Sequence, residues 1–398
     1  MAMVMDVMCA LPQELVDHII DSIGDDPETL QACAVVRQSW TSASQRSLFR
    51  HIRLTNRRLL VLFQQVISSS PRLANFTKHL DVVDTAIRPS QQWVISSSNQ
   101  LSILLPLLSN LNSIMFDFNT MPWRAVARME DVLRQAFRMP NLVHAILDGI
   151  RETSTSVWAL TLFEGSLVKT INLRNIHVSR DSPNWSPDSP KIRLPSVESL
   201  SLVCLGSLRV LDSLQEITFS ALRELSVLVE SWDEVLAVSK VAEGLSLDTL
   251  ALHWDTQSFR TAGDFTPTLN PIRLGLLPHI HFQPFPLSSK PYGMYAPSEM
   301  PLWWATYFRQ VSDSFLRTIT VTFYKKSGAS EYEYDHDQRL LELSSWNQLD
   351  AALSPTLRLR DVILSDECLQ SDGCEDEGVR SRVRQAFPLL YERGILRF

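Results

Sequence analysis

The sequence predicts an α/β fold in which a module of three short helices precedes a curved parallel sheet with helices on its outer side. Apolar residues recur at three- and four-residue spacing between residues 11 and 49, which is typical of short amphipathic helices. Between residues 77 and 364 an apolar-x-x-apolar-x-apolar pattern recurs ten times, once in a weaker form. Its last two apolar positions alternate with polar ones, as in a strand with one buried face.

Length and composition leave room for both parts. The chain has 398 residues, of which 45% are apolar and 20% charged, so it can bury a large core and is not globally disordered. The net charge of −7 offers no basic excess for a phosphate backbone, which argues against nucleic-acid binding. We therefore expect a small module and a larger body, with protein partners.

The amino-terminal region and the cysteines indicate the compartment. Residues 1–36 contain no Lys or Arg, whereas secretory and mitochondrial leaders require basic residues. The least charged stretch, residues 89–116, is interrupted by polar residues and by Pro106, so it does not read as a bilayer span. Five dispersed cysteines form no CxxC pair. We expect a reduced cytoplasmic or nuclear setting, no membrane association, and disorder in residues 1–10.

Helix start and stop signals divide the module. Pro12 suits the first turn of a helix that ends at Gly24, because its missing N–H costs nothing there. Asp26 is a candidate N-cap for a second helix with Pro27 at its first position. Residues 42–49 predict a third helix, and an extended segment begins at His51. Three such short helices cannot hide all their apolar side chains, so a neighbouring domain or a partner must cover some of them.

These residues resemble the F-box in order and spacing. The likeness comprises Leu11-Pro12-x-Glu14-Leu15 with Ile19-Ile20, then Leu30, Cys33, Val36 and Trp40, and finally Leu48-Phe49. Where the family often has Cys and a basic residue after the Val at position 36, Arg37 follows directly here. The alternative is an ordinary helical cap on the following sheet.

The resemblance implies an F-box-like domain over residues 11–52 that binds a Skp-type adaptor and thereby joins a cullin ubiquitin ligase. It also implies positions for adaptor contact or for the core of the module. These are Leu11, Pro12, Leu15, Ile19, Ile20, Leu30, Val36 and Trp40.

The repeated pattern predicts the strands of residues 53–398. The three apolar positions of each copy fall at 77/80/82, 111/114/116, 142/145/147, 168/171/173, 197/200/202, 222/225/227, 247/250/252, 277/280/282, 316/319/321 and 359/362/364. Helical stretches lie between them, for example residues 128–137 and 231–241. Each strand-plus-helix unit can bury its apolar face only against its neighbours, so the units should stack.

The spacing of these copies resembles that of leucine-rich repeats. From Leu111 to Leu277 the starts lie 31, 26, 29, 25, 25 and 30 residues apart, close to the range of that family. The Asn or Cys that usually follows the strand in the family is missing from most copies. The resemblance implies a solenoid that binds a target. The alternative is a non-repetitive α/β domain whose strands share a leucine pattern.

The carboxyl end resembles a group of fungal-type F-box proteins. The likeness runs over residues 346–364 and, after an acidic tract, residues 383–396. We interpret this end as the capping unit that shields the last repeat.

Two proline-rich inserts interrupt the repeat and suggest a place for the target. Residues 181–195 surround Trp185, and residues 266–301 hold eight prolines. Long loops in repeat proteins are often functional, and Trp and Tyr are common interface anchors. We expect four aromatic residues to help bind the target, although Trp303, Trp304 and Phe308 could instead pack into a helix core at helical spacing. The four are Tyr292, Tyr295, Trp303 and Trp304.

Catalytic signatures are missing from the sequence. His279-Ile280-His281 has no nearby Cys or carboxylate ligands, so we expect no metal site there. Asp335-His336-Asp337 has no accompanying nucleophile motif. The hypothesis from sequence is thus a non-enzymatic substrate receptor of an SCF-type ubiquitin ligase, without cofactor. Two alternatives are a leucine-rich scaffold without ligase association and an α/β enzyme with unrecognised residues.

Overall fold

The computed structural model describes residues 12–24, 26–36, 38–84, 92–153, 158–178, 192–205, 214, 217–229, 232–255, 279–285, 305, 308–309, 317–323, 343–355, 359–366, 381 and 384–397. They belong to two compact units. The first runs to Thr153 and includes Trp158–Asn175, and the second comprises Ser154–Val157 and Ile176–Phe398. None of the helices in the described ranges is long and apolar enough to cross a bilayer.

The first unit begins with three helices, which we call the helical module. They are α1 (Gln13–Ile23), α2 (Pro27–Val36) and α3 (Gln38–Arg50). The helix ends follow the predicted signals. Gly24 ends α1 with a φ of 67°, a conformation that costs glycine little. The third helix is longer than the sequence predicted, because it starts four residues earlier, at Gln38.

Five strands follow the helical module in the first unit and are neighbours in chain order. The strands are β1 (His51–Leu54), β2 (His79–Val83), β3 (Ser113–Pro122), β4 (His144–Thr153) and β5 (Thr170–Val178). The residues of β5 up to Asn175 belong to the first unit. The intervening helices are α4 (Arg57–Ser69), α5 (Trp93–Ser96), α6 (Ser98–Leu104), α7 (Trp123–Val126), α8 (Glu130–Phe137) and α9 (Trp158–Thr161). The pairs β1–β2, β2–β3 and β3–β4 are parallel.

The second unit repeats this arrangement. Its strands are β6 (Ile192–Arg193), β7 (Ser199–Leu205), β8 (Ile217–Thr218), β9 (Glu224–Val229), β10 (Thr249–Asp255), β11 (His279–Phe285), β12 (Thr318–Phe323), β13 (Asp361–Asp366) and β14 (Leu396–Arg397). Helices whose bounds lie in its described ranges are α10 (Trp232–Glu243), α11 (Leu343–Leu353) and α12 (Pro388–Glu392). Strand β7 pairs with β9, and each strand from β9 to β14 pairs with the next, all in parallel. The short strands β6 and β8 also pair in parallel.

The apolar pattern matches the observed strands. All ten copies place their last two apolar positions inside a strand, from β2 to β5, in β7 and from β9 to β13. Those positions also face each other across neighbouring strands: Leu80 pairs with Ile114 and Val82 with Phe116, and all four side chains are buried. The predicted α/β class with a parallel sheet is therefore confirmed.

Some predictions for residues 53–398 concern features finer than the fold class. Curvature, the leucine-rich character of the repeat and a boundary at residues 52 and 53 stay predictions. The predicted helix over residues 128–137 is observed as α8 after a short 3-10 turn at Ala127–Met129. The helix predicted over residues 231–241 is α10.

The carboxyl-terminal segment packs on α11. The ring centroids of Trp346 and Phe387 lie 5.3 Å apart at an angle of 65°, an edge-to-face arrangement. The carboxylate of Asp350 accepts backbone N–H bonds from Leu389 and Leu390 at 2.8 and 2.9 Å. These donors belong to the first turn of α12, where helical N–H groups lack partners within the helix. One buried aspartate thus caps the last helix.

Candidate functional site

The second helix of the helical module begins at a well-formed cap. The Asp26 carboxylate accepts N–H bonds from Glu28 and Thr29 at 3.1 and 3.4 Å, and the Thr29 hydroxyl donates to it at 2.6 Å. The hydroxyl bond contributes most to lowering the pKa of Asp26 below its ordinary value. The cap fixes where α2 starts, and so which of its side chains turn inwards.

The core of the helical module is small. Val16 and Ile20 of α1 meet Leu30 of α2 and Ala43 of α3, and all four are buried. Ile23, Cys33, Trp40 and Leu48 pack around them and are partly buried. Of the residues that the F-box resemblance singled out, Ile20 and Leu30 therefore lie in the core, and Trp40 at its margin.

Other residues from that set lie on the surface. Leu15 and Ile19, four residues apart on α1, are 48% and 37% exposed, and Val36 at the end of α2 is 66% exposed. Pro12 is exposed too, whereas Leu11 lies outside the described residues. We call Leu15, Ile19, Val35 and Val36 the exposed apolar set. Val35 was missed in the sequence, although it is a second valine beside Val36 and is 84% exposed.

Acidic residues of α1 and α2 accompany the exposed apolar set along the chain, and Arg37 directly follows Val36. Glu14 and Asp21 of α1 and Glu28 of α2 are exposed, and residues 12–36 contain neither Lys nor Arg. One ion pair joins α1 to α3, in which Arg46 Nη1 lies 3.5 Å from Asp17 Oδ2. A partner for this surface should therefore combine apolar side chains with basic ones.

A second surface lies on the sheet of the first unit. The first residues of β1 to β4 are His51, His79, Ser113 and His144, and the register places them side by side. We call them the histidine row. Each is followed by a residue that turns to the other face, where Leu80, Ile114 and Ala145 are buried. The sequence contained this signal, because each member of the row directly precedes an apolar strand position.

The histidines interact with each other and with an aspartate. The ring centroids of His51 and His79 lie 6.0 Å apart, edge to face, and His51 Nε2 lies 2.8 Å from Asp81 Oδ2. Burial lowers the pKa of His79, and the charges of His51 and Arg50 lower it further. Asp81 opposes these effects by favouring the imidazolium form.

Carboxylates lie further along the same strands. Asp117 of β3 pairs in register with Asp148 of β4, and Asn175 Nδ2 donates to Asp148 Oδ1 at 2.8 Å. Burial raises the pKa of Asp148, and the bond from Asn175 offsets part of that effect. Within the described ranges, no three or more His, Cys, Asp and Glu side chains are arranged to hold a metal ion.

The four aromatic residues predicted to bind the target lie outside the described residues, as do residues 335–337. The four are Tyr292, Tyr295, Trp303 and Trp304. His279 begins β11, in the same strand position as the histidine row, and it belongs to the second unit.

No protein-family model matches this chain. A search of curated proteins likewise returns no match.

Proposed function

We propose that this protein is the substrate-recognition subunit of an SCF-type (Skp–cullin–F-box) ubiquitin ligase. The helical module would bind a Skp-type adaptor, the parallel-sheet units would hold a target protein, and the chain itself would carry no catalytic group. Its contribution to catalysis would be proximity, because it brings the target to the chemistry of another protein. The proposal combines the F-box resemblance with one structural observation.

That observation is the exposed apolar set. The helical module has a complete small core, yet it leaves Leu15, Ile19 and Val36 in contact with water. Apolar residues that only supported the fold would be expected to turn inwards, whereas exposed clusters mark interaction sites. Leu15 and Ile19 lie on adjacent turns of α1, so both can contact one surface of a partner.

The energy available from this surface fits a docking site. Full burial of an aliphatic side chain stabilises a complex by about 1.5–3 kcal/mol, so covering the exposed fraction contributes about 1 kcal/mol for each residue. Micromolar affinity requires about 8 kcal/mol. The exposed apolar set would therefore supply central anchors, and polar contacts around it would supply the rest.

Capture of a Skp-type adaptor by the purified chain tests the proposal. We expect the wild-type chain to form a complex, and Leu15→Asp and Val36→Asp to weaken it at least tenfold, because each would bury a charge in an apolar interface. Binding is measured by calorimetry. Circular dichroism and melting curves check that both variants remain folded.

Two matched controls come from α6 and the turn after it in the same unit. Leu107 is 45% exposed, close to the 48% of Leu15, and Ile103 is 66% exposed, as is Val36. We expect Leu107→Asp and Ile103→Asp to bind the adaptor like the wild type. If all four variants bind equally, the exposed apolar set is not the docking surface. If the wild type binds no adaptor, the alternative of a scaffold without ligase association is favoured.

A further inference from the structure

The strand starts in the first unit gather positively charged and imidazole groups. Arg50 precedes His51, and Lys78 precedes His79, while Lys169 precedes the first residue of β5. These three cations are exposed, as are His51 and His144. Ordered backbone bonds hold the positions in line, since Lys78 N–H donates to Arg50 O, and Ser113 N–H donates to Lys78 O.

Burial and three nearby basic groups lower the pKa of His79. It is lowered first by burial and then by His51, Arg50 and His144, against the single opposing effect of Asp81. Asp81 is itself engaged by His51 at 2.8 Å. Glu164 lies in the turn before β5, where the Arg138 guanidinium donates to its backbone carbonyl, and Asp117 and Asp148 lie four residues after the first residues of β3 and β4. Three basic groups, His51, Arg50 and His144, and one carboxylate, Asp81, act on the pKa of His79, although the whole chain carries −7.

The length of this surface indicates an extended partner. Neighbouring strands lie about 4.8 Å apart, so the five starts from β1 to β5 span about 19 Å. In an extended peptide, side chains on one side recur about every 6.7 Å. A short strand of polypeptide laid across the row could therefore present about three side chains to it.

We propose that the histidine row, together with Arg50 and Lys78, binds an acidic segment of the target protein. The segment would carry Asp or Glu at alternate positions, so that its carboxylates accept hydrogen bonds from the imidazole, guanidinium and ammonium groups. Ser113, between His79 and His144, offers a hydroxyl donor in the same row. That the segment belongs to a ligase target rests on the function proposed above, whereas the binding itself is independent of the adaptor.

Fluorescence anisotropy on the full-length chain without adaptor tests this surface. The probe is a labelled peptide of alternating Glu and Ser, about seven residues long, and its partner probe has Gln in place of Glu. We expect the Glu peptide to bind and the Gln peptide to bind at least tenfold more weakly. Binding of the Glu peptide should weaken as salt rises, because the contacts are ionic and lie at the surface.

Variants locate the binding. Lys78→Gln and His144→Gln should each weaken the Glu peptide about threefold or more, and the double variant more than either. Arg174→Gln is the control, because Arg174 is also an exposed cation and lies four residues after the start of β5. It should leave the affinity unchanged.

A second readout reports on the row directly. Saturation with the Glu peptide should raise the pKa of His79, measured by NMR titration of its ring protons, because a nearby anion favours the imidazolium form. Absence of binding, equal affinity for the Gln peptide, or equal loss in Arg174→Gln would overturn the proposal. Tighter binding of a single-stranded oligonucleotide with the same variant pattern would also overturn it, in favour of a nucleic-acid ligand.

The two proposals fail separately. Leu15→Asp should weaken adaptor capture and leave the affinity for the Glu peptide unchanged, while Lys78→Gln should weaken binding of the Glu peptide and leave adaptor capture unchanged. A chain that binds the peptide but no adaptor would contradict only the ligase function.

Discussion

A Cβ atom built on Gly149 would lie 2.7 Å from the backbone nitrogen of Asn119, closer than such atoms approach in folded proteins. Gly149 has a φ of 73°, and the facing residues Asn119 and Thr120 have φ values of 44° and 66°. The pairing of β3 with β4 shifts register between Asp117 and Met121, next to this contact. The bulge in β3 and the glycine in β4 thus require each other.

Substitution of this glycine should therefore be costly. We expect Gly149→Ala to lower the free energy of unfolding by about 2–4 kcal/mol, which combines the strain of a positive φ with overpacking against β3. Urea unfolding of the full chain measures the change. Hydrogen exchange at the amides of β3 and β4 shows whether the loss is local.

Gly24 is the matched control. Its φ of 67° is similar, but a Cβ there would meet no atom within 4 Å. Gly24→Ala should therefore cost only about 1 kcal/mol. Equal effects of the two substitutions would show that close approach to Asn119 contributes nothing.

Two adjacent isoleucines of α1 should differ in what they support. Ile20 is fully buried, so Ile20→Ala should lower the free energy of unfolding of the helical module by about 2–5 kcal/mol. Ile19 is 37% exposed, so Ile19→Ala should cost less than about 1 kcal/mol. A module of three short helices has little stability in reserve. Limited proteolysis within residues 12–50 should therefore increase in Ile20→Ala alone.

A charged substitution of Ile19 should affect adaptor binding rather than stability. Ile19→Asp should leave the helical content unchanged and weaken capture at least tenfold, as expected for Leu15→Asp. A folded Ile19→Asp variant with full affinity would argue that the adaptor does not touch α1.

Asp350 of α11 connects this helix to α12 through two hydrogen bonds. The residue is 1% exposed and accepts two backbone N–H bonds of α12. Asp350→Ala would leave both donors without this acceptor, so we expect the free energy of unfolding to fall by about 1–3 kcal/mol at neutral pH. Asn347→Ala, an exposed change on the same helix, is the control and should have little effect.

The contribution of Asp350 should also depend on pH. Burial raises the pKa of this carboxyl above its ordinary value, and the two N–H bonds offset part of the effect. Because the folded-state pKa exceeds the unfolded one, the native chain takes up a proton more readily. The stability of the wild type relative to Asp350→Asn should therefore rise as the pH falls towards about 4. A constant difference across that range would contradict the raised pKa.

The fold class was predictable because its cause is local. Alternation at Leu80 and Val82, or at Leu250 and Leu252, identifies a strand with one buried face wherever it occurs. Repetition of the pattern then predicts neighbours of the same kind, and parallel pairing follows from the helices between them. Helix ends at Gly24 and Asp26 were equally local, since each depends on one residue and its backbone.

The candidate site was predictable only in part. The F-box resemblance selected both Ile19 and Ile20, and the neighbouring sequence does not indicate which of the two is buried and which is exposed. Their burial differs because α3 covers one side of α1 and leaves the other open. Val35 was missed for the same reason, as its exposure depends on where α3 passes.

By itself, the sequence determined that this chain forms an α/β protein with an amino-terminal helical module and parallel strands, since propensity, capping and period act over a few residues. Only the tertiary structure decided which apolar side chains stay exposed. It also aligned three histidines and a serine at four strand starts, and it placed the first turn of α12 where Asp350 accepts its N–H bonds. These relationships join residues that lie far apart in the chain, and packing, which sets register and distance, is not encoded in any short segment.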